Sequence, residues 1–265
     1  MNDTFAAALL GVIQGLTEFL PVSSTAHLAL TQYFFGLDPD RFGLTFDVAL
    51  HMGTALAVLL YFFSTWVGLL RDLLARRWRM PGLVIAGTIP AAVVGVLLQS
   101  LVERELRGPL LMAAMLVVGS LIFIAAEAIA RRTRTMESLG LADALFMGSA
   151  QAIALLPGIS RSGITISAGL ARGLERADAT RFSFLLATPI ILGAGAKTLL
   201  DLRKAESLFA RPDLVAIGFV LSFATGLATV AFLMRFLRTH SLIWFVPYRL
   251  ILATLVAIAV ALGTP

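Results

Sequence analysis

Six stretches of this chain run for some twenty mostly apolar residues: 44–64, 82–101, 109–130, 181–200, 213–234 and 242–263. A hydrocarbon core ~30 Å thick, crossed at ~1.5 Å per residue, needs a run of that length. No water is present there to satisfy backbone N–H and C=O groups, so crossing segments are helices or a closed barrel. Continuous apolar runs select helices. Composition agrees, with 58% of the 265 residues apolar, 14% charged and a mean hydropathy of +0.90. Soluble domains carry about 25% charged residues, and that class is excluded. The expected fold class is an all-α polytopic membrane protein.

Two further apolar segments, about 5–35 and 141–172, are interrupted in the middle. Pro21-Val22-Ser23-Ser24-Thr25 breaks the first and Pro157-Gly158-Ile159-Ser160-Arg161-Ser162-Gly163 breaks the second. Such breaks free backbone groups, which membrane depth tolerates only where protein buries them or a cavity receives them. Each segment is therefore expected to be a re-entrant helix-loop-helix.

The order then repeats: a broken pair followed by three spans, twice, within a single transmembrane domain covering 1–265. Weak echoes support it at an offset of about 131–137 residues. Gly11 and Gln14 match Gly148 and Gln151, Pro21 with Ser24 matches Pro157 with Ser160, and Gly87 and Gly95 match Gly218 and Gly226. Three spans is odd, so the second half enters from the opposite face. The expectation is an inverted-topology repeat, 1–135 and 140–265, with a site where the repeats meet.

The formal charge of +5 and pI near 10.4 do not point to nucleic acid, because the arginines sit in short loops between apolar runs. With the N-terminus outside, the inner segments carry Arg71, Arg76, Arg77, Arg79, Arg131, Arg132, Arg134, Arg172, Arg176, Arg181, Arg235 and Arg238. The outer ones carry Arg41, Arg104, Arg107, Arg203, Lys204 and Arg211. That excess places both termini outside. Met1-Asn2-Asp3-Thr4 lacks a basic leader, so the first apolar segment is expected to stay in the mature fold. There is no cysteine, hence no disulfide and no thiolate metal site.

Polar residues gather at the breaks. Gln14 and Glu18 lie four apart on one helix face. Ser23 or Ser24 is placed to cap the next helix, and His27 follows at three and four residues. An ionised Glu in a bilayer costs on the order of 3 kcal/mol unless partnered. The second break sets Arg161 among Ser160, Ser162, Gly163 and Thr165 at a helix N-terminus, where free N–H groups and a guanidinium favour a phosphate. A bare structural ion pair between Glu18 and Arg161 would not need so many hydroxyls and glycines. Asp47 with His51, and Arg249 after Pro247-Tyr248, are secondary candidates for the same cavity.

Gln14-Gly15-Leu16-Thr17-Glu18-Phe19-Leu20-Pro21-Val22-Ser23-Ser24-Thr25-Ala26-His27 and Pro157-Gly158-Ile159-Ser160-Arg161-Ser162-Gly163-Ile164-Thr165 closely resemble the two signatures of the bacitracin-resistance type undecaprenyl-diphosphate phosphatases. The resemblance extends along the chain, including Phe182 to Ala187 and Tyr248-Arg249. It implies a multi-pass hydrolase of the bacterial inner (plasma) membrane that converts undecaprenyl diphosphate to the monophosphate and inorganic phosphate. That activity recycles the lipid carrier for peptidoglycan synthesis and confers bacitracin resistance. It further implies a divalent cation, Mg²⁺ or Ca²⁺, at Gln14 and Glu18, with Gln14 a neutral oxygen where a carboxylate is the harder ligand. Catalysis falls on Glu18, Ser24, His27 and Arg161, and substrate binding on Ser23, Ser160, Arg161, Ser162, Gly163 and Thr165.

Two roles for His27 stay open, as general base for Ser24 or as activator of a water. The implied partners are the polyprenyl diphosphate and membrane lipids, with no nucleic acid; the resemblance admits a homodimer. The competing class is a transporter or flippase for a phosphorylated lipid, since broken helices in inverted repeats also build transporters. A carrier needs an anion clamp, but not a hydroxyl and an imidazole beside a carboxylate.

Overall fold

The computed structural model describes residues 2–106, 108–201 and 210–263. Among these residues every regular element is helical, apart from one isolated bridge between Arg134 and Leu174. α1 (Asp3–Phe19) and α2 (Ser24–Phe34) form the first broken pair. The short α3 (Pro39–Phe42) leads into α4 (Leu44–Tyr61), followed by α5 (Phe63–Leu74), α6 (Arg79–Glu105) and α7 (Pro109–Ile129). The second broken pair is α8 (Leu141–Ile153) and α9 (Arg161–Ala171). α10 (Arg176–Leu200), α11 (Pro212–Phe236) and α12 (Val246–Ala261) complete the chain. Among the described residues six helical stretches are long and apolar enough to cross a membrane: Pro39–Tyr61, Arg79–Leu98, Pro109–Ile129, Arg176–Leu200, Pro212–Phe236 and Leu242–Ala261. They overlie the six expected spans.

Local chemistry sets the ends. Leu20 is extended (φ −61°, ψ 141°), as the residue before a proline prefers, so α1 stops before Pro21. Pro109 and Pro212 open α7 and α11 at positions whose N–H would have no helical partner. α5 is a departure from expectation, since the spacing left 65–81 as a loop. It has no buried residue, an apolar face that includes Leu70 and Leu74, and Arg71 and Asp72 on its polar side. Its two-sided character is that of an interfacial helix, and it is too short to register as a span.

Ion pairs join residues that the charge count assigns to one side. Asp3 meets Arg41 at 2.6 Å and Arg211 at 3.5 Å. At the other end Glu127 holds Arg176 at 2.6 Å, and Asp143 holds Arg134 and Arg172 at 2.7 and 2.6 Å. Arg107, Arg203 and Lys204 lie outside the described residues.

The broken pairs dock through glycine. A Cβ at Gly11 of α1 would lie 2.6 Å from the carbonyl oxygen of Gly218 on α11, and one at Gly148 of α8 would lie 1.9 Å from that of Gly87 on α6. Small residues allow backbones this close in a membrane, where packing rather than water drives helix association. Gly148→Ala is therefore expected to destabilise by about 1–3 kcal/mol through overpacking, a lowering of several degrees in detergent. Gly68→Ala, whose added methyl meets open space, serves as control. Indistinguishable melting curves for the two variants would contradict the docking role.

Candidate active site

Both breaks bend at a serine. Ser23 (φ 75°) caps α2 and Ser160 (φ 79°) caps α9, each in a region that L residues rarely occupy. Such backbone costs on the order of 1–3 kcal/mol and persists only when surroundings enforce it. This shared bend aligns Ser23 with Ser160, so Ser24 corresponds to Arg161 rather than to Ser160. The breaks also bond to each other. The Gly158 N–H donates to Ser23 Oγ at 3.1 Å, and Ser162 Oγ donates to the Leu20 carbonyl at 3.3 Å.

Arg249 closes the junction from α12. Its side chain is fully buried, and Nη1 donates to the Pro21 carbonyl at 3.0 Å. Nη2 donates to Gly158 O at 2.9 Å, Ile159 O at 3.2 Å and Leu116 O at 3.0 Å. Nε reaches Ser120 Oγ at 3.1 Å, and the guanidinium lies 4.7 Å above the Phe123 ring. One planar fork of donors thus satisfies carbonyls freed by both breaks. Sequence reasoning placed Arg249 only among supporting candidates; its signal was a charge at membrane depth, which does not say what it serves.

Polar groups from both breaks meet at Glu18, whose side chain is 3% exposed. Its Oε1 pairs with Arg161 Nη2. Its Oε2 accepts from Ser24 Oγ at 2.6 Å and Gln14 Nε2 at 3.1 Å, with His51 Nε2 at 3.3 Å. Glu18 and Ser24 from the first break thereby meet Arg161 from the second. Arg161 also donates to the Ala187 carbonyl at 3.3 Å.

His27 takes a different place from the one its spacing suggested. Its Nδ1 is 2.8 Å from the Ser23 carbonyl and its Nε2 is 2.7 Å from the Tyr248 hydroxyl, on which its ring also stacks. Both ring nitrogens are committed, and the Ser24 hydroxyl goes to Glu18 instead. The imidazole nearest that carboxylate is His51, carried by α4, with its Nδ1 on the Asp47 carbonyl at 2.7 Å.

The other candidates support the backbone. Ser160 Oγ accepts from the Gly163 N–H at 3.3 Å and lies 3.2 Å from Ser162 Oγ. Thr165 is fully buried, donates back to Arg161 O at 2.7 Å and pairs with Ser183 Oγ. A Cβ at Gly163 would run into the Phe123 ring at 2.1 Å, so glycine here admits Phe123 beneath Arg249. Sequence reasoning grouped these residues as a phosphate cradle; in the structure their side chains bond one another and the backbone around Arg161.

Among the described residues no cluster of three or more His, Asp or Glu side chains is arranged to hold a metal ion. Gln14 Oε1, however, is buried without a hydrogen-bond partner, on the same helix face as Glu18. An orphaned hard oxygen beside a carboxylate suits a Mg²⁺ or Ca²⁺ ion whose remaining ligands come from substrate or water.

The chain matches the family model described as bacitracin resistance protein BacA over residues 7–255. It is 46% identical to an undecaprenyl-diphosphatase of Rubrobacter xylanophilus, covering 97% of this chain and 98% of that one. It is 42% identical to an undecaprenyl-diphosphatase of Thermodesulfovibrio yellowstonii, with 97% of each covered, and 45% identical to one from Alcanivorax borkumensis, with 94% and 96% covered. The chain belongs to the BacA family.

If Arg249 holds the two breaks in register, Arg249→Met strands several buried carbonyls at about 1–3 kcal/mol each. Melting of the detergent-solubilised variant is expected to fall by well over five degrees, with Arg249→Lys intermediate. A variant as stable as the parent chain would remove Arg249 from this role.

Proposed function

We propose that this member of the BacA family is a membrane-embedded phosphatase that hydrolyses undecaprenyl diphosphate to undecaprenyl phosphate and inorganic phosphate. The names of its relatives support the substrate. One observation supports the chemistry: a single buried carboxylate accepts the Ser24 hydroxyl at 2.6 Å on one oxygen and holds Arg161 on the other.

The diphosphate enters as an anion and competes with Glu18 for Arg161. The guanidinium and the first-turn N–H groups of α9 then bear the terminal phosphoryl, with electrostatics set in place before the charge develops. Glu18, relieved of its cation, takes the Ser24 proton as general base. Ser24 Oγ bonds to the terminal phosphorus, the bond to the bridging oxygen breaks, and undecaprenyl phosphate leaves with the electron pair. Water then cleaves the Ser24 phosphoester, returning a proton to Ser24 and releasing phosphate. Gln14 and Glu18 would hold a divalent cation, which would supply neutralisation of phosphate charge, while the Glu18 oxygen facing Ser24 stays available for the proton. His27 and Tyr248 flank Ser23 and Ser24 and orient that edge of the pocket.

Placed in a bacterial plasma membrane, this reaction returns the lipid carrier to its monophosphate form for peptidoglycan synthesis. Bacitracin sequesters the diphosphate, so an abundant enzyme lowers its toxicity.

The test is phosphate release from undecaprenyl diphosphate by purified protein in detergent, where no compartments exist and a pure carrier would release none. Arg161→Ala and Glu18→Gln are expected to lose 10²–10³-fold in kcat/KM, on the order found when one preorganised charge or donor is removed. Ser24→Ala should fall as far. Full activity in Ser24→Ala would leave Glu18 activating water directly, and more than a tenth of activity in Arg161→Ala would sink the assignment of Arg161.

A further inference from the structure

α2 and α9 occupy matching positions after the two breaks, and each is 11 residues long. Their packing differs sharply. α9 buries every residue from Ser162 to Leu170 and is enclosed by α7, α8 and α10. α2 buries only Ser24, Ala26, Leu28 and Leu30, and its main neighbour is α1. Where α9 lies against α7, α2 meets α12 through His27 on Tyr248 and through Ala26 and Leu30 in one apolar cluster with Ala253 and Val256, and beside that contact a groove of about 340 Å³ stays open between them. His27, Thr31 and Phe34 line its α2 wall, and Leu252, Val256 and Ala259 its α12 wall.

The groove has a direction. Its inner end is His27, which bonds the Ser23 carbonyl and so adjoins the turn that carries Ser24. Its outer end is Phe34, seven residues on, or about 10 Å along the helix. Apart from His27 and Thr31 the walls are apolar. A site with its polar groups at one end and hydrocarbon along the rest matches a ligand with a charged head and an apolar tail.

Resting on the function proposed above, we propose that this groove receives the first few isoprene units of the substrate's polyprenyl chain. The unequal packing of α2 and α9 is then how the fold opens a lateral path from the bilayer to Ser24. About 10 Å of groove grips only the head-proximal part of the chain, and the remainder stays among the lipids. Chain length matters up to the groove's end and not beyond it.

The experiment compares isopentenyl (C5), farnesyl (C15) and undecaprenyl (C55) diphosphates in detergent. With the parent chain, KM is expected to fall at least tenfold from C5 to C15 and to change little from C15 to C55. Ala259→Phe, which fills the outer groove from α12, should raise KM for C15 and C55 at least tenfold while kcat/KM for C5 stays within twofold. Thr31→Phe fills the same space from α2 and guards against a folding defect peculiar to one helix. Equal losses on all three substrates, or an unchanged C5-to-C15 ratio in both variants, would overturn the proposal and leave the groove to ordinary lipid. Failure of the parent chain to release phosphate from any substrate would instead overturn the proposed reaction.

Discussion

Backbone left unpaired in hydrocarbon is the constraint on which this structure turns. Two helices stop in the middle of an apolar fold, and each stop strips carbonyls of their helical partners, at a cost of several kcal/mol apiece if nothing replaces them. Arg249 is the replacement. It is fully buried, and it spends its donors on the carbonyls of Pro21, Gly158, Ile159 and Leu116. Gly119 and Gly163 leave the room: a Cβ at the first would lie 2.2 Å from Arg249 Nη2, and one at the second would strike Phe123. With the breaks in register, Ser23 and Gly158 can bond across the junction, and the strained φ angles of Ser23 and Ser160 are over-determined from several sides.

That register makes the Glu18–Arg161 pair possible. A buried ion pair is poor evidence for stability, because taking two charges out of water roughly offsets their attraction. Its value here is positional. Breaking it without replacement costs about 3–5 kcal/mol, so either partner alone is a strong attractor for a counter-charge. In the proposed reaction the entering diphosphate supplies that counter-charge to Arg161, and Ser24 supplies a proton to Glu18. Gln14, Ser24 and His51 on a single carboxylate oxygen anchor Glu18 independently of Arg161.

Much of the architecture was legible in the sequence because the bilayer leaves few choices. Twenty apolar residues can only span as helix, and a proline with a polar cluster can only be a break, so all six spans were found from 44–64 to 242–263. α5 was missed since an interfacial helix has neither the length nor the uniform polarity of a span. Glu18 meeting Arg161 and Gln14 was legible at the two breaks, but the bonds of Ser24 and His27 were not. His27 has the right spacing to face Ser24, yet the Ser23 carbonyl and the Tyr248 hydroxyl, 221 residues away from it in sequence, claim both its nitrogens. Thr165 and Gly163 belong to the same short motif as Arg161, and their packing against Ser183 and Phe123 is a tertiary fact that spacing does not carry.

The two broken pairs start from similar sequence and end in different chemistry. Ser23 and Ser160 bend alike, and Gly11 and Gly148 dock alike. At the position matching Ser24 stands Arg161, and at that matching Glu18 stands Leu155. Gln151, the match of Gln14, is buried with neither amide atom bonded, as expected of a residue whose carboxylate neighbour has become a leucine. A symmetric pair of acid sites would repel one another across the junction, and a symmetric pair of arginines would offer no base. One acid and one guanidinium attract and neutralise each other across the junction. The packing is unequal in the same sense: α9, which carries Arg161, is packed among α7, α8 and α10, whereas α2, which carries Ser24, is left open along one flank.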